Sequence, residues 1–105
     1  MLFVLEYDAV NHPKHYKETS LECIETMIVA FGANEIANYC CVNAYKYLFR
    51  YRTKNGLEDL KKANWYLDKC HELCVEYTEE FPKQYNELIK ILNNHIEKWE
   101  KEHEE

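Results

Sequence analysis

Backbone breakers are almost absent from this chain: its 105 residues include two Gly (Gly32, Gly56) and two Pro (Pro13, Pro82). Sandwiches and barrels need many turns, and turns draw heavily on Gly, Pro, Asn, Asp and Ser. With so few breakers and no Ser or Thr runs, the chain is predicted to be all-α, about four helices joined by short turns. Its length supports one hydrophobic core, so residues 1–105 read as a single small helical bundle.

The breakers also mark the boundaries. The first 17 residues read as an irregular N-terminal arm, with a turn at Asn11-His12-Pro13 because Pro13 pushes His12 out of the helical region. Thr19 and Glu22 fit a capping box before the apolar series Leu21, Ile24, Met27, Ile28 and Phe31, and Gly32 is placed to end that helix. Asn34 is expected to cap a second helix running through Ile36, Cys40, Ala44 and Leu48 toward Arg52. Asn55-Gly56 is the clearest break. A third helix begins near Leu57 and repeats apolar positions at Leu60, Leu67, Cys70 and Cys74. Pro82 is expected to end or kink it and to open an amphipathic fourth helix, 82–102, with a fraying tail after Glu100. The stripe Leu88, Leu92, Ile96, Trp99 on that helix would be a large apolar surface without a partner, so a homo-oligomer is expected.

No apolar run approaches the roughly 20 residues of a membrane span. The segment Met1–Asp8 lacks a basic region and is too short for a signal peptide. A soluble, cytoplasmic protein with no membrane partner is expected. The five cysteines, Cys23, Cys40, Cys41, Cys70 and Cys74, contain no Cys-x-x-Cys pair. They read as small buried fillers in a reducing compartment, with no disulfide, no metal and no cofactor.

Charge is segregated along the chain. From Asn43 to Lys69 seven Lys/Arg stand against three Asp/Glu, whereas the other residues carry six against sixteen, for a net charge of −6. In the basic segment cations alternate with aromatic rings. Such a field attracts an anion locally even in an acidic molecule, and the rings add stacking surface, a combination suited to phosphate plus a flat base. Asn43, Lys46, Tyr47, Arg50 and Lys54 recur at i, i+3, i+4, i+7 and i+11, so they line one face of the second helix. Arg offers phosphate a bidentate fork, Lys a mobile charge, and Asn a partner for a base or ribose edge. Val42, Tyr45, Leu48 with Phe49, and Arg52 lie opposite, which reads Tyr45 and Phe49 as core. On the third helix Lys61, Trp65 and Asp68 share a face, as do Asp59, Lys62 and Tyr66. Exposed ion pairing explains the latter set almost as well as ligand binding does. The plain alternative for the whole segment is a solvated helix face over core aromatics.

A second constellation, Asn11-His12-Pro13-Lys14-His15-Tyr16, places two His, a Lys and a Tyr on one turn, able to hydrogen-bond a phosphate or ribose. No Gly-rich phosphate loop, dinucleotide fingerprint or acidic magnesium cluster is present, and Ser20 is the only Ser. Nucleotide binding therefore fits better than a recognisable catalytic set.

These segments also resemble a known family. Asn11-His12-Pro13-x-His15-Tyr16, then Glu22-Cys23-Ile24, then Asn43-Ala44-x-Lys46-Tyr47-Leu48-x-Arg50-Tyr51 and Lys54-Asn55-Gly56-x-Glu58-Asp59-Leu60-Lys61-Lys62-Ala63-x-Trp65-Tyr66-Leu67 are similar to the SaV-like domain of small phage proteins, over about residues 10–70. That family is known as a domain of unknown function or as a phage nucleotide kinase. The resemblance implies a phage origin, a small helical fold, nucleotide handling, and a location in the cytoplasm of the infected bacterium. Its motif residues are His12, His15, Tyr16, Asn43, Lys46, Arg50, Lys54, Asp59 and Trp65; Val42 departs from it, standing where Gly is frequent.

The ligand site is accordingly expected at His12, His15, Tyr16, Asn43, Lys46, Tyr47, Arg50, Lys54, Asp59, Lys62 and Trp65, shared between subunits of a homo-oligomer. The expected function is sequestration of a nucleotide-derived immune signal, cyclic or ADP-ribose-like. The alternatives are a phage nucleoside monophosphate kinase, with Lys46 and Arg50 on the transferred phosphoryl group and His15 or Asp59 as base, and a non-enzymatic protein-interaction module. Nucleic acid is disfavoured by the net negative charge. Arg50→Ala is expected to weaken ligand binding with little loss of stability.

Overall fold

The structure, a computed structural model, describes residues 17–103, with the backbone alone for residues 17–22. The chain forms four helices, α1 (Lys17–Phe31), α2 (Ala33–Arg50), α3 (Leu57–Glu76) and α4 (Tyr85–His103), and no strand occurs among the described residues. None of these helices is long and apolar enough to cross a membrane.

A single glycine joins α1 to α2. Gly32 has φ +94°, a conformation that side chains resist. Its N–H donates to the Ile28 carbonyl (2.8 Å) and its own carbonyl accepts from the Ile36 N–H (3.2 Å), so it closes one helix and opens the next. Asn34 therefore falls inside α2 instead of capping it. Thr19 likewise lies within α1, which is already helical at Lys17; its side chain and that of Glu22 are outside the described residues.

α2 and α3 form an antiparallel hairpin across the turn 51–56. The contacts Cys41–Cys70, Tyr47–Tyr66 and Arg50–Asp59 run in opposite order along the two helices, which fixes their direction. Their interface is built from small or slender residues, Ala37, Cys40 and Ala44 against Ala63, Leu67 and Cys70, all fully buried. Small side chains at the seam let two helices approach closely. Four of the cysteines are thus core fillers, whereas Cys23 is exposed. Burial, with Cys41 alongside, pushes the Cys40 thiol up to about 12, so it stays protonated and inert.

α3 ends before Pro82 can end it. Thr78 takes a left-handed φ of +55°, the Glu79 N–H reaches the Cys74 carbonyl (2.9 Å), and the helix stops at Glu76 in a Schellman-type cap. Pro82 lies in the connection, and α4 starts at Tyr85 rather than at residue 82. It is helical through His103, whose ring stacks on Trp99 at 3.7 Å.

The α4 stripe is covered within the chain. Leu88, Leu92 and Ile96 are buried in the core shared with α2 and α3, and half-buried Trp99 packs on Gly56. The apolar surface that called for a partner subunit is therefore already used, and this stripe gives no reason for an oligomer.

Candidate functional site

The turn between α2 and α3 is organised around one carboxylate. The Asp59 side chain is 0% exposed, in the first turn of α3. Arg50 at the end of α2 approaches it in a fork, Nε to Oδ2 at 3.3 Å and an Nη to Oδ1 at 3.4 Å. Asn55 donates twice more, from its backbone N–H (3.2 Å) and from its side-chain amide (3.3 Å). Burial opposes ionisation of Asp59, but the Arg50 and Asn55 hydrogen bonds outweigh it and lower its pKa. Exposed pairing on α3, expected from sequence, is not what Asp59 does. It is an internal anchor that holds Arg50, and with no accessible surface it reaches a ligand only through Arg50. Arg50→Ala would leave this buried charge without its guanidinium, so stability falls along with any binding, contrary to the sequence expectation.

Next to this anchor, three cations surround one ring. Lys46 Nζ lies 4.6 Å from the Tyr47 ring centre, Arg50 Cζ 4.8 Å, and Lys62 Nζ of α3 5.5 Å. The antiparallel hairpin brings Lys62 there, because the next turn of α3 stacks Tyr66 on Tyr47 at 6.0 Å, while Tyr39 meets Tyr66 edge-on. Among the described residues neither Lys46 nor Lys62 reaches a carboxylate; the ion pairs are Arg50–Asp59, Arg52–Glu102 and Lys69–Glu72. Cation–π contacts at exposed sites are worth about 0.5–1 kcal/mol each. The three contacts gather positive charge on this face.

The other expected residues are placed less centrally. Trp65 is half-buried, edge-on to Tyr66 at 5.0 Å with Lys69 above its ring at 5.9 Å. Asn43 spends its amide donor on the Tyr39 carbonyl one turn back (3.0 Å). Lys54 is exposed in the turn. His12, His15 and Tyr16 lie outside the described residues, as does the rest of the N-terminal arm. Two contributors escaped the sequence reading as site residues: Asn55, legible only as a turn former, and Tyr66, which carries Tyr47. No group of three or more His, Cys, Asp or Glu suited to a metal occurs among the described residues.

A groove of about 310 Å³ opens on the opposite margin of α2, lined by Tyr45, Leu48, Phe49, Tyr51, Arg52, Leu88, Ile91 and His95. Tyr45 and Phe49, expected in the core, are 59% and 80% exposed on its rim. The reason is packing: α4 meets α2 along Leu48 and Tyr51, one step round the helix, and leaves these two rings uncovered.

Residues 10–68 match the family described as a protein of unknown function (DUF3310). The chain belongs to this family. The DUF3310 span takes in α1, α2 and the first half of α3, hence the whole Tyr47 cluster and its Asp59 anchor, whereas α4 lies beyond it. No protein of curated function and no solved structure matches the chain.

Proposed function

We propose that this chain binds a phosphorylated nucleotide on the Tyr47 face and holds it without transforming it, as a phage accessory protein that sequesters a nucleotide-derived signal. One observation carries the reading: two ammonium groups, Lys46 and Lys62, stand against a single tyrosine ring without a carboxylate partner among the described residues, beside an Arg50 held in place by buried Asp59. Phosphate oxygens would take both lysines and the free edge of Arg50, and the ring offers a flat surface for a base. The motif resemblance adds His12, His15 and Tyr16 as further ligand groups and supplies the phage context.

Turnover is the weaker reading for a physical reason. Of the two candidate bases for a kinase, Asp59 is buried, its oxygens are occupied, and its lowered pKa makes it a poor proton acceptor. The test is incubation with mono-, di- and cyclic nucleotides and ADP-ribose, followed by mass spectrometry of what stays bound. Recovery of an unchanged ligand is expected. A phosphorylated product would establish the kinase, and no retained ligand would favour a protein-interaction module.

A further inference from the structure

The second margin of α2 carries an apolar surface that the anion site does not use. Val42, Tyr45 and Phe49, at i, i+3 and i+7, are 68%, 59% and 80% exposed, and the Tyr45 and Phe49 rings lie nearly parallel, 6.4 Å apart. Directly beside this ridge runs the groove floored by Leu48, Leu88 and Ile91. We propose that this face is an isologous dimer interface, in which the Tyr45–Phe49 ridge of one copy enters the α2–α4 groove of a second copy of this chain, and the reverse.

Three features favour a second copy as occupant. An isologous contact needs a protrusion and a recess on the same patch, because the two-fold axis brings each to the other; here they are adjacent. The groove, about 310 Å³ and open to solvent, is large enough to admit an aromatic ring, since even a sealed cavity of about 150 Å³ accepts benzene. Charge also points there. Two copies with net charge −6 repel each other over most of their surfaces, whereas the groove lining contains no carboxylate and a single cation, Arg52, already paired with Glu102 at 3.7 Å. Two exposed aromatics with a valine amount to roughly 300 Å² of apolar surface, enough for the centre of an interface that must bury about 800 Å² per partner and so must also take in the groove and its polar surround. The α4 stripe plays no part in this interface.

Sedimentation equilibrium of the full-length chain tests the proposal without reference to any ligand. The wild type is expected to be a dimer at micromolar concentration. Phe49→Glu should raise the dimer dissociation constant at least about 100-fold, as loss of a central aromatic anchor does, with an unchanged far-UV circular dichroism spectrum. Tyr45→Lys should act in the same direction, which guards against a folding defect in one variant. Val75→Glu, at an exposed apolar position on α3, should leave the dimer intact. A wild-type monomer at 100 μM, whatever covers the face, would overturn the proposal, and so would a dimer that both variants leave unchanged. Because Lys46 and Lys62 are not in this face, their substitution should not alter assembly, and failure of the nucleotide reading leaves this result readable.

Discussion

The two margins of α2 are made from similar material and end in opposite states. On the α3 side, Tyr47 is half-buried under Lys46, Arg50 and Lys62, with Tyr66 stacked behind it. On the α4 side, Tyr45 and Phe49 stand in solvent with no cation over them among the described contacts. The two sets interleave along the same stretch of α2 and differ only in the side of the helix they occupy. The difference comes from the neighbour: α3 follows α2 through a short turn and runs back along it, bringing its own cations and rings, whereas α4 arrives later and touches α2 on a narrow strip. A helix face thus ends up lined with cations or left apolar and open according to what packs beside it.

The strongest way to break this contrast is to remove the anchor of the cation margin. Asp59→Ala would strand the Arg50 guanidinium and the Asn55 donors, and breaking a buried pair from one side costs about 3–5 kcal/mol. A fall in melting temperature of 12 °C or more is expected, on the scale of roughly 4–8 °C per kcal/mol for a domain of this size. A change under about 1 kcal/mol by urea titration would mean that the network is not what holds the turn.

Next in size is the turn itself. Gly56 has φ +57°, and a Cβ there would lie 2.9 Å from two ring carbons of Trp99. Gly56→Ala should cost about 2 kcal/mol through backbone strain and displacement of the indole. In a Trp99→Leu background the steric part should vanish and only the strain remain. If the cost is the same in both backgrounds, Trp99 does not brace the turn.

Acid should separate the two margins. Burial, reinforced by Lys98 and Arg52, lowers the pKa of His95 on the groove side, so the fold prefers the neutral ring. Its contribution is complete above the unfolded value near ~6.5 and is lost as pH falls through the lower folded value. The depressed Asp59 pKa acts in the same direction at lower pH: its contribution is complete above ~3.9 and is lost as pH falls through the folded value. Thermal melts from pH 7 downward should show two losses of stability, one from His95 below pH ~6.5 and a second from Asp59 below ~3.9. His95→Gln should remove the first and Asp59→Asn the second. The smallest effect is expected from metal: chelation of divalent ions should change ligand affinity by less than about threefold, or ~0.65 kcal/mol. Metal-dependent consumption of ATP in the presence of a monophosphate would instead support the kinase.

Much of the architecture was legible because local rules dominate it. Gly32, the Asn55-Gly56 break and the start of α3 at Leu57 follow from backbone chemistry that acts within a few residues. The errors about faces share one cause, which is that faces are assigned by tertiary neighbours. Period alone put Tyr45 and Phe49 inside, and it left the α4 stripe without a cover that α2 and α3 in fact provide. Pro82 read as the stop for α3, but Thr78 in a left-handed conformation stops it first, at a residue with no such preference. For the cation margin, spacing found Lys46, Tyr47 and Arg50 on one face. Lys62 was expected in the site as well; that it would stand over the same Tyr47 ring, and that Asp59 would turn inward to hold Arg50, required the antiparallel pairing of α2 with α3.

The most direct measurement of the account is calorimetric titration of the nucleotide retained in the binding panel into three proteins: wild type, Lys46→Ala/Lys62→Ala, and Phe49→Glu. Two charge-assisted contacts at about 1.5–3 kcal/mol each should cost the double lysine variant at least about 100-fold in affinity, with stability lowered by no more than the two lost cation–π contacts, about 1–2 kcal/mol. Phe49→Glu, on the other margin of the same helix, should stay within about threefold of wild type. A double lysine variant that binds like wild type would contradict the assignment of the site to the Tyr47 face.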